Sequence, residues 1–138
     1  MDCVFCTLIR EDSAHWVARR PETRAFAPLD PLAPGHTLVI PAPHYRDLFE
    51  TPPDVLSQTM ALVQDLANAM RAALGAGGVN ILSASGPGSQ QSVPHLHFHV
   101  VPRWPGDGFS TWPAQRSQHR LDDDPIRRLA EAMTTETT

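Results

Sequence analysis

Residues 95–99 read His95-Leu96-His97-Phe98-His99, followed by Val100, Val101, Pro102 and Arg103. Three of the seven histidines in the chain thus alternate with bulky apolar residues. On a β-strand that period places His95, His97 and His99 on one face, about 6.6 Å apart in succession. Leu96, Phe98 and Val100 then turn to the opposite face, toward a core. Imidazole has the ordinary pKa that suits proton transfer, nucleophilic attack and metal ligation near neutral pH. An imidazole attacking phosphorus gives a labile phosphoramidate, which divides one hard displacement into two easier ones. His97, in the middle, is the natural nucleophile or base, and its neighbours can exchange protons or balance developing charge.

The segment before the histidines fits that chemistry. Residues 84–92 are Ala-Ser-Gly-Pro-Gly-Ser-Gln-Gln-Ser, a loop of small polar residues. Glycines let backbone amides approach a ligand, and serine and glutamine add donors, so phosphate oxygens can be held without lysine. The chain has no lysine; all eleven of its Lys-plus-Arg count are arginines. A Schiff base or a P-loop lysine is therefore excluded.

Other residues could assist. Cys3-Val4-Phe5-Cys6 places two thiols one helical turn apart, half of a tetrahedral zinc site. Two unligated thiols are the alternative. The missing ligands must come from far along the chain, and His44 and His95 are candidates. His36, entering the apolar run Thr37–Ile40, is placed to orient a catalytic histidine from behind. His15 and His119 read as surface residues. A zinc ion held by His95, His97 and His99 together conflicts with their spacing along a strand.

The elements that must position these groups can be read from patterning. Trp16–Arg20 and Arg24–Ala27 read as strands about a turn at residues 21–23, and Thr37–Ile40 as a buried strand bounded by a proline-rich loop over 28–35. One long helix opens at Thr51-Pro52, with Thr51 as N-cap and Pro52 as first residue. Val55, Leu56, Thr59, Leu62, Val63, Leu66, Met70 and Leu74 form its apolar stripe, and Gly75, Gly77 and Gly78 end it. Val79–Ser83 is the next strand. Residues 104–120 are irregular, Asp122–Met133 is a last short helix capped by Asp124 with Pro125 following, and Thr134–Thr138 a frayed tail. Strands, a long helix and strands again give an α+β antiparallel sheet, not alternating βαβ units.

Composition sets the remaining bounds. A chain of 138 residues, 41% apolar and 19% charged, holds one globular domain. We expect a single domain over 1–138, with its core in 3–103 and an irregular extension in 104–138. A net charge of −4 argues against a broad basic face for nucleic acid. No apolar run is long enough to span a membrane. The start, Met1-Asp2-Cys3-Val4, lacks the basic flank and apolar stretch of a signal peptide, so the expected location is the cytoplasm.

Three segments together resemble the histidine triad (HIT) family of nucleotide hydrolases and transferases. They are Cys3-Val4-Phe5-Cys6; Pro34-Gly35-His36-Thr37-Leu38-Val39-Ile40-Pro41 with His44 after it; and Gln91-Ser92-Val93-Pro94-His95-Leu96-His97-Phe98-His99-Val100-Val101-Pro102-Arg103. The resemblance implies an α+β homodimer with one sheet continuous across it. It implies a purine nucleotide or nucleotidyl conjugate as partner, cleaved between its α-phosphate and a leaving group, as in a nucleoside phosphoramidate or dinucleoside polyphosphate. His97 would be the nucleophile forming a nucleotidyl intermediate, His99 the histidine beside the α-phosphate, Ser92 a hydroxyl near the leaving group and His36 the supporting histidine. Gln91 would contact phosphate. A structural zinc would be held by Cys3, Cys6, His44 and His95. The chain departs from the family where an acidic residue usually holds the ribose hydroxyls: that position is Pro28, with Asp30 nearby. Ala84-Ser85 replaces the usual Asn or Gln before the loop glycine, so Ser85 is its substitute, and Gln90 stands where glycine is usual. These departures motivate a second reading, a nucleotide-binding regulatory module with little catalysis.

Overall fold

The computed structural model describes residues 3–135. Residues up to Gly108 form one compact unit and those from Phe109 onward a second. The first begins with α1 (Val4–Glu11), whose N-cap is Cys3; its sulfur accepts from the Cys6 amide at 3.5 Å. Strands β1 (Trp16–Arg19), β2 (Thr23–Phe26) and β3 (Thr37–Pro41) follow, then α2 (Pro53–Leu74), β4 (Gly78–Leu82) and β5 (Phe98–Arg103). The sheet is antiparallel in the order β1-β2-β3-β5-β4. This is the α+β architecture expected from the order of elements.

The two faces of the sheet carry two apolar clusters, as period two requires. On one face Ala25, Val39, Leu96, Phe98 and Val100 pack against Leu62, Val63, Leu66 and Met70 of α2. On the other, Phe26, Leu38 and Ile40 pack with Cys3 and Phe5 at α1. Burying each large side chain contributes about 1.5–3 kcal/mol, which anchors α2 to the sheet. The register sets Leu38 opposite His99 and Val39 opposite Phe98. The histidine face of β5 is therefore the α1 face.

Three details differ from expectation. The paired strand begins at Phe98, so only His99 of the three histidines lies within it. Upstream, the His95 amide donates to the Val93 carbonyl and the Leu96 amide to the Tyr45 carbonyl, both at 2.8 Å, and Pro94 has no amide to give. These bonds take the segment out of the ladder while leaving the alternation intact. Thr51 does not cap α2. Its hydroxyl donates to the Asp47 carbonyl at 2.6 Å, Pro52 is the N-cap without a side-chain bond, and Pro53 is the first helical residue. Leu74, at the end of the apolar stripe, is exposed.

Gly75 closes α2 in the left-handed conformation, φ 67°. In the second unit α3 (Pro125–Thr135) starts as expected, the Asp124 carboxylate accepting from the amides of Ile126 and Arg127 at 3.1 and 3.2 Å. The tail expected to fray from Thr134 continues α3 through Thr135 instead, and residues 136–138 lie outside the described residues. No helix among the described residues is long and apolar enough to cross a membrane.

Candidate functional site

Each histidine of the site makes a bond that settles which ring nitrogen carries its proton. The amide of Leu32, which can only donate, points at His36 Nδ1 at 2.9 Å. His36 therefore carries its proton on Nε2, and that nitrogen lies 3.0 Å from His99 Nδ1. Nε2–H donates and His99 Nδ1 accepts, which leaves the proton of a neutral His99 on Nε2. His97 Nδ1 lies 2.8 Å from the carbonyl oxygen of His95, an acceptor only, so Nδ1 donates and Nε2 keeps its lone pair. The His97 and His99 rings sit edge to face with centroids 5.2 Å apart.

The surroundings favour the uncharged rings. Burial lowers the pKa of His97, against the opposing pull of its bond to the His95 carbonyl. Burial also lowers His36, and takes His99 down to about 4 with help from the neighbouring His97 and His36. Phe5 of α1 covers the group, its ring edge to face with His97 at 5.3 Å, His95 at 5.8 Å and Phe26 at 5.3 Å. Such pairs each add about 0.5–1.5 kcal/mol beyond burial. Nothing in the spacing of Phe5 marks it as the cover of the histidines.

Two cavities meet at the histidine pair. The larger, about 660 Å³, is mostly apolar, with Phe5, Leu8, Phe26 and Leu29 among its walls. His36, His97, His99 and Ser92 close one side, and Asp30 and His15 also line it. The smaller, about 260 Å³, shares Leu32, Ser92, His97 and His99 and continues past Ser83, Ser89 and Gln90. His97 and His99 therefore line both cavities.

A second cluster lies behind the pair. One ligand atom from each of Cys3, Cys6, His44 and His95 falls within 4.8 Å of every other. His95 Nδ1 is 3.4 Å from Cys3 Sγ and 3.6 Å from Cys6 Sγ, and His44 Nδ1 is 3.3 Å from Cys6 Sγ. Zn–S and Zn–N bonds meeting tetrahedrally give an S···N edge of about 3.6 Å. His95 Nε2 donates to the Pro41 carbonyl at 2.8 Å, which leaves Nδ1 bare to ligate and fixes the ring. Burial pushes the Cys6 thiol up, and Cys3 beside it adds to the rise, a pattern that a cation in the cluster would reverse. Two thiols and two imidazoles so placed are compatible with metal binding. His97 and His99 are outside this group.

These features coincide with one family. A model of the HIT domain matches residues 10–106. The chain belongs to the HIT domain family. This HIT protein is 32% identical over 130 residues to the adenosine 5'-monophosphoramidase HNT1 of Saccharomyces cerevisiae, covering 92% of this chain and 77% of that one. It is 38% identical over 104 residues to the adenylylsulfatase HINT3 of Arabidopsis thaliana, covering 74% of this chain and 52% of that protein. Its fold superposes on a zinc-bound histidine triad family protein from Mycobacterium smegmatis with a TM-score of 0.76 and 35% identity, over 100% of this chain and 99% of the other. Membership and these relatives support nucleotide hydrolase activity in the broad sense.

The HIT fold does not gather every expected site residue. His36, Ser92, His97, His99 and Asp30 line the large cavity. Gln91 does not. Its amide donates to the carbonyls of Arg46 and Val93 at 2.7 and 2.9 Å, and its oxygen accepts from the Gly86 amide at 3.0 Å. Gln91 thus staples the loop and lines a separate hollow with Arg46, Gly86 and Pro94. Ser85 Oγ accepts from the Leu48 amide at 3.0 Å, joining two loops. His15, read as a surface residue, is exposed at the rim of the large cavity. The Leu32 amide was not anticipated, because a backbone donor has no signature in residue type.

Proposed function

We propose that this HIT protein is a nucleotide hydrolase or nucleotidyl transferase. It cleaves the bond between an α-phosphate and its leaving group through a covalent nucleotidyl-histidine. The observation that carries this reading is the bond from His97 Nδ1 to the His95 carbonyl, 2.8 Å. It commits the ring proton to the backbone and leaves Nε2 as the nucleophilic nitrogen, on a residue that lines both cavities.

The substrate of this reaction is a nucleoside phosphoramidate. The nucleoside lies in the apolar chamber, with Asp30 at its wall. The His97 Nε2 lone pair attacks phosphorus, the P–N bond breaks, and the departing amine takes a proton from water by way of the Ser92 hydroxyl. His99, its Nε2–H held outward by His36, donates to a phosphate oxygen as charge shifts. Gln91 and Ser85 hold the loop around the phosphate. Water then attacks phosphorus and the P–Nε2 bond breaks. A nucleoside monophosphate leaves, neutral imidazole returns, and the borrowed proton goes back to solvent.

Zinc is the metal we assign to Cys3, Cys6, His44 and His95. When bound it supplies a cross-link between α1, the segment after β3 and His95. His95 also presents the carbonyl that holds the nucleophile, so the cluster acts on the chemistry through position. Thiols kept free for a metal suit the reducing cytoplasm. We also assign a homodimer in which the open edge at β4, with Ile81 and Leu82 exposed, pairs with a second copy. The unit through Gly108 carries the reaction. The test is turnover of adenosine 5'-phosphoramidate by the wild type and by His97→Ala; loss of product in the variant, with mononucleotide still bound, is the expected result, and retained turnover rejects the reading.

A further inference from the structure

Cys3 and Cys6 carry a second chemistry that metal ligation does not use. They are the two cysteines of the chain, and both are free thiols. Cys3 is the N-cap of α1 and Cys6 lies in its first turn. The Cys3 carbonyl accepts from the Thr7 amide at 3.0 Å, and its sulfur from the Cys6 amide at 3.5 Å. These bonds wind the segment as a helical turn, in which residues three apart have Cα atoms about 5 Å apart. A disulfide needs roughly 4.4–6.8 Å between the same atoms. The two sulfurs already lie within 4.8 Å of each other. The turn can therefore close into a disulfide without displacing the helix.

The two thiols differ in access. Cys3 is 3% exposed, whereas Cys6 is only partly buried. An oxidant from solvent meets Cys6 first, and Cys3 waits behind it as the resolving thiol. Closure also reaches further than the turn. Cys6 Sγ is the sulfur nearest His44 Nδ1, at 3.3 Å, and both sulfurs face His95 Nδ1. Two sulfurs drawn to a bonding distance of about 2.05 Å leave these imidazoles behind, and neither sulfur keeps the charge that binds a metal. Phe5, between the two cysteines in sequence, rests against His97 with ring centroids 5.3 Å apart.

We propose that Cys3 and Cys6 are a redox-active dithiol, closed to a disulfide by a peroxide with release of the bound metal. The release rests on the zinc assignment above; the dithiol does not. The Cys6 thiolate attacks a peroxide oxygen, the O–O bond breaks, and the departing hydroxide takes a proton to become water. Cys6 is then a sulfenic acid. The Cys3 thiolate attacks the Cys6 sulfur, the S–O bond breaks, and the second hydroxide leaves as water with another proton from solvent. Two thiolates are oxidised by two electrons, one peroxide is reduced by two, and the zinc ion departs. A thiol reductant such as glutathione reverses the closure by exchange, its own pair of thiols becoming the disulfide. In a reducing compartment the disulfide is transient, as a sensing pair requires.

The experiment treats the full zinc-loaded chain with hydrogen peroxide. It follows released zinc with a chromogenic chelator, counts free thiols, and weighs the peptide holding Cys3 and Cys6 by mass spectrometry. One zinc should leave for each pair of thiols lost, and the peptide should be lighter by two hydrogens. Reductant and added zinc should restore both. In glutathione buffers, closure should need a more oxidising ratio with zinc than after chelation, because zinc holds only the open form. Thiols that stay reduced, that stop at sulfinic acid, or that join two chains overturn the proposal. A disulfide that closes with zinc still bound overturns the coupling to the metal. A protein that never takes up zinc, yet still closes Cys3 to Cys6, keeps the dithiol and overturns the zinc assignment instead.

Discussion

His36 Nε2 donates to His99 Nδ1 at 3.0 Å, and the Leu32 amide fixes the direction of that bond by donating to His36 Nδ1 at 2.9 Å. A backbone amide thus decides where a proton sits two rings away. In His36→Phe the His99 ring loses its orienting donor and exchanges between its two neutral forms. The expected loss in kcat is about tenfold, the value of one good hydrogen bond at a reacting site. Imidazole nitrogen NMR should show His99 protonated on Nε2 in the wild type and on both nitrogens in exchange in the variant.

Stability should depend on pH with a defined sign. The folded-state pKa of His99 is lowered to about 4 and that of His36 is also lowered, both by burial. An unfolded chain protonates the same rings near 6.5. Between those values the unfolded state binds more protons, so stability is full above about pH 6.5 and is lost as pH falls toward 4. Melting temperature should drop across that window in the wild type. The drop should be shallower in a His36→Phe, His99→Phe double variant.

The metal cluster gives a prediction separable from catalysis. Cys6→Ser should abolish stoichiometric zinc and lower the melting temperature, on the order of 10 °C for a site occupied far above its dissociation constant. His97→Ala should keep its zinc, because His97 lies outside the cluster. Metal analysis of the two purified variants decides between a structural site and a catalytic one.

Gly35, at φ 86°, turns the chain into His36. A Cβ there would meet Leu74 Cδ1 at 2.6 Å. Leu74 can swing away, but the backbone strain stays. Gly35→Ala should therefore cost about 1–2 kcal/mol and lower kcat through a displaced His36. Chemical denaturation and steady-state kinetics on one preparation measure both.

Much of this was legible in the residues. The alternation at 95–99 separates the histidine face from Leu96, Phe98 and Val100, and that division holds even where His95 and His97 precede the paired strand. The Cys3/Cys6/His44/His95 grouping came from the family resemblance and converges in space. What was hidden depended on backbone partners. Thr51 reads as a helix cap until the Asp47 carbonyl claims its hydroxyl. Gln91 reads as a phosphate ligand, yet the turns around Gly86 bring three backbone groups within its reach. The Leu32 amide leaves no trace in sequence at all.

The central claim is that His97 Nε2 forms a bond to phosphorus. The direct measurement is a single-turnover reaction with α-phosphate-labelled adenosine 5'-phosphoramidate, quenched during the burst, in wild type and His97→Ala. The account predicts acid-labile label on the wild-type protein, mapped to the peptide holding His97, and none on the variant although AMP still binds. Label on the variant, or product formed by the wild type with no labelled protein at any time, would contradict it.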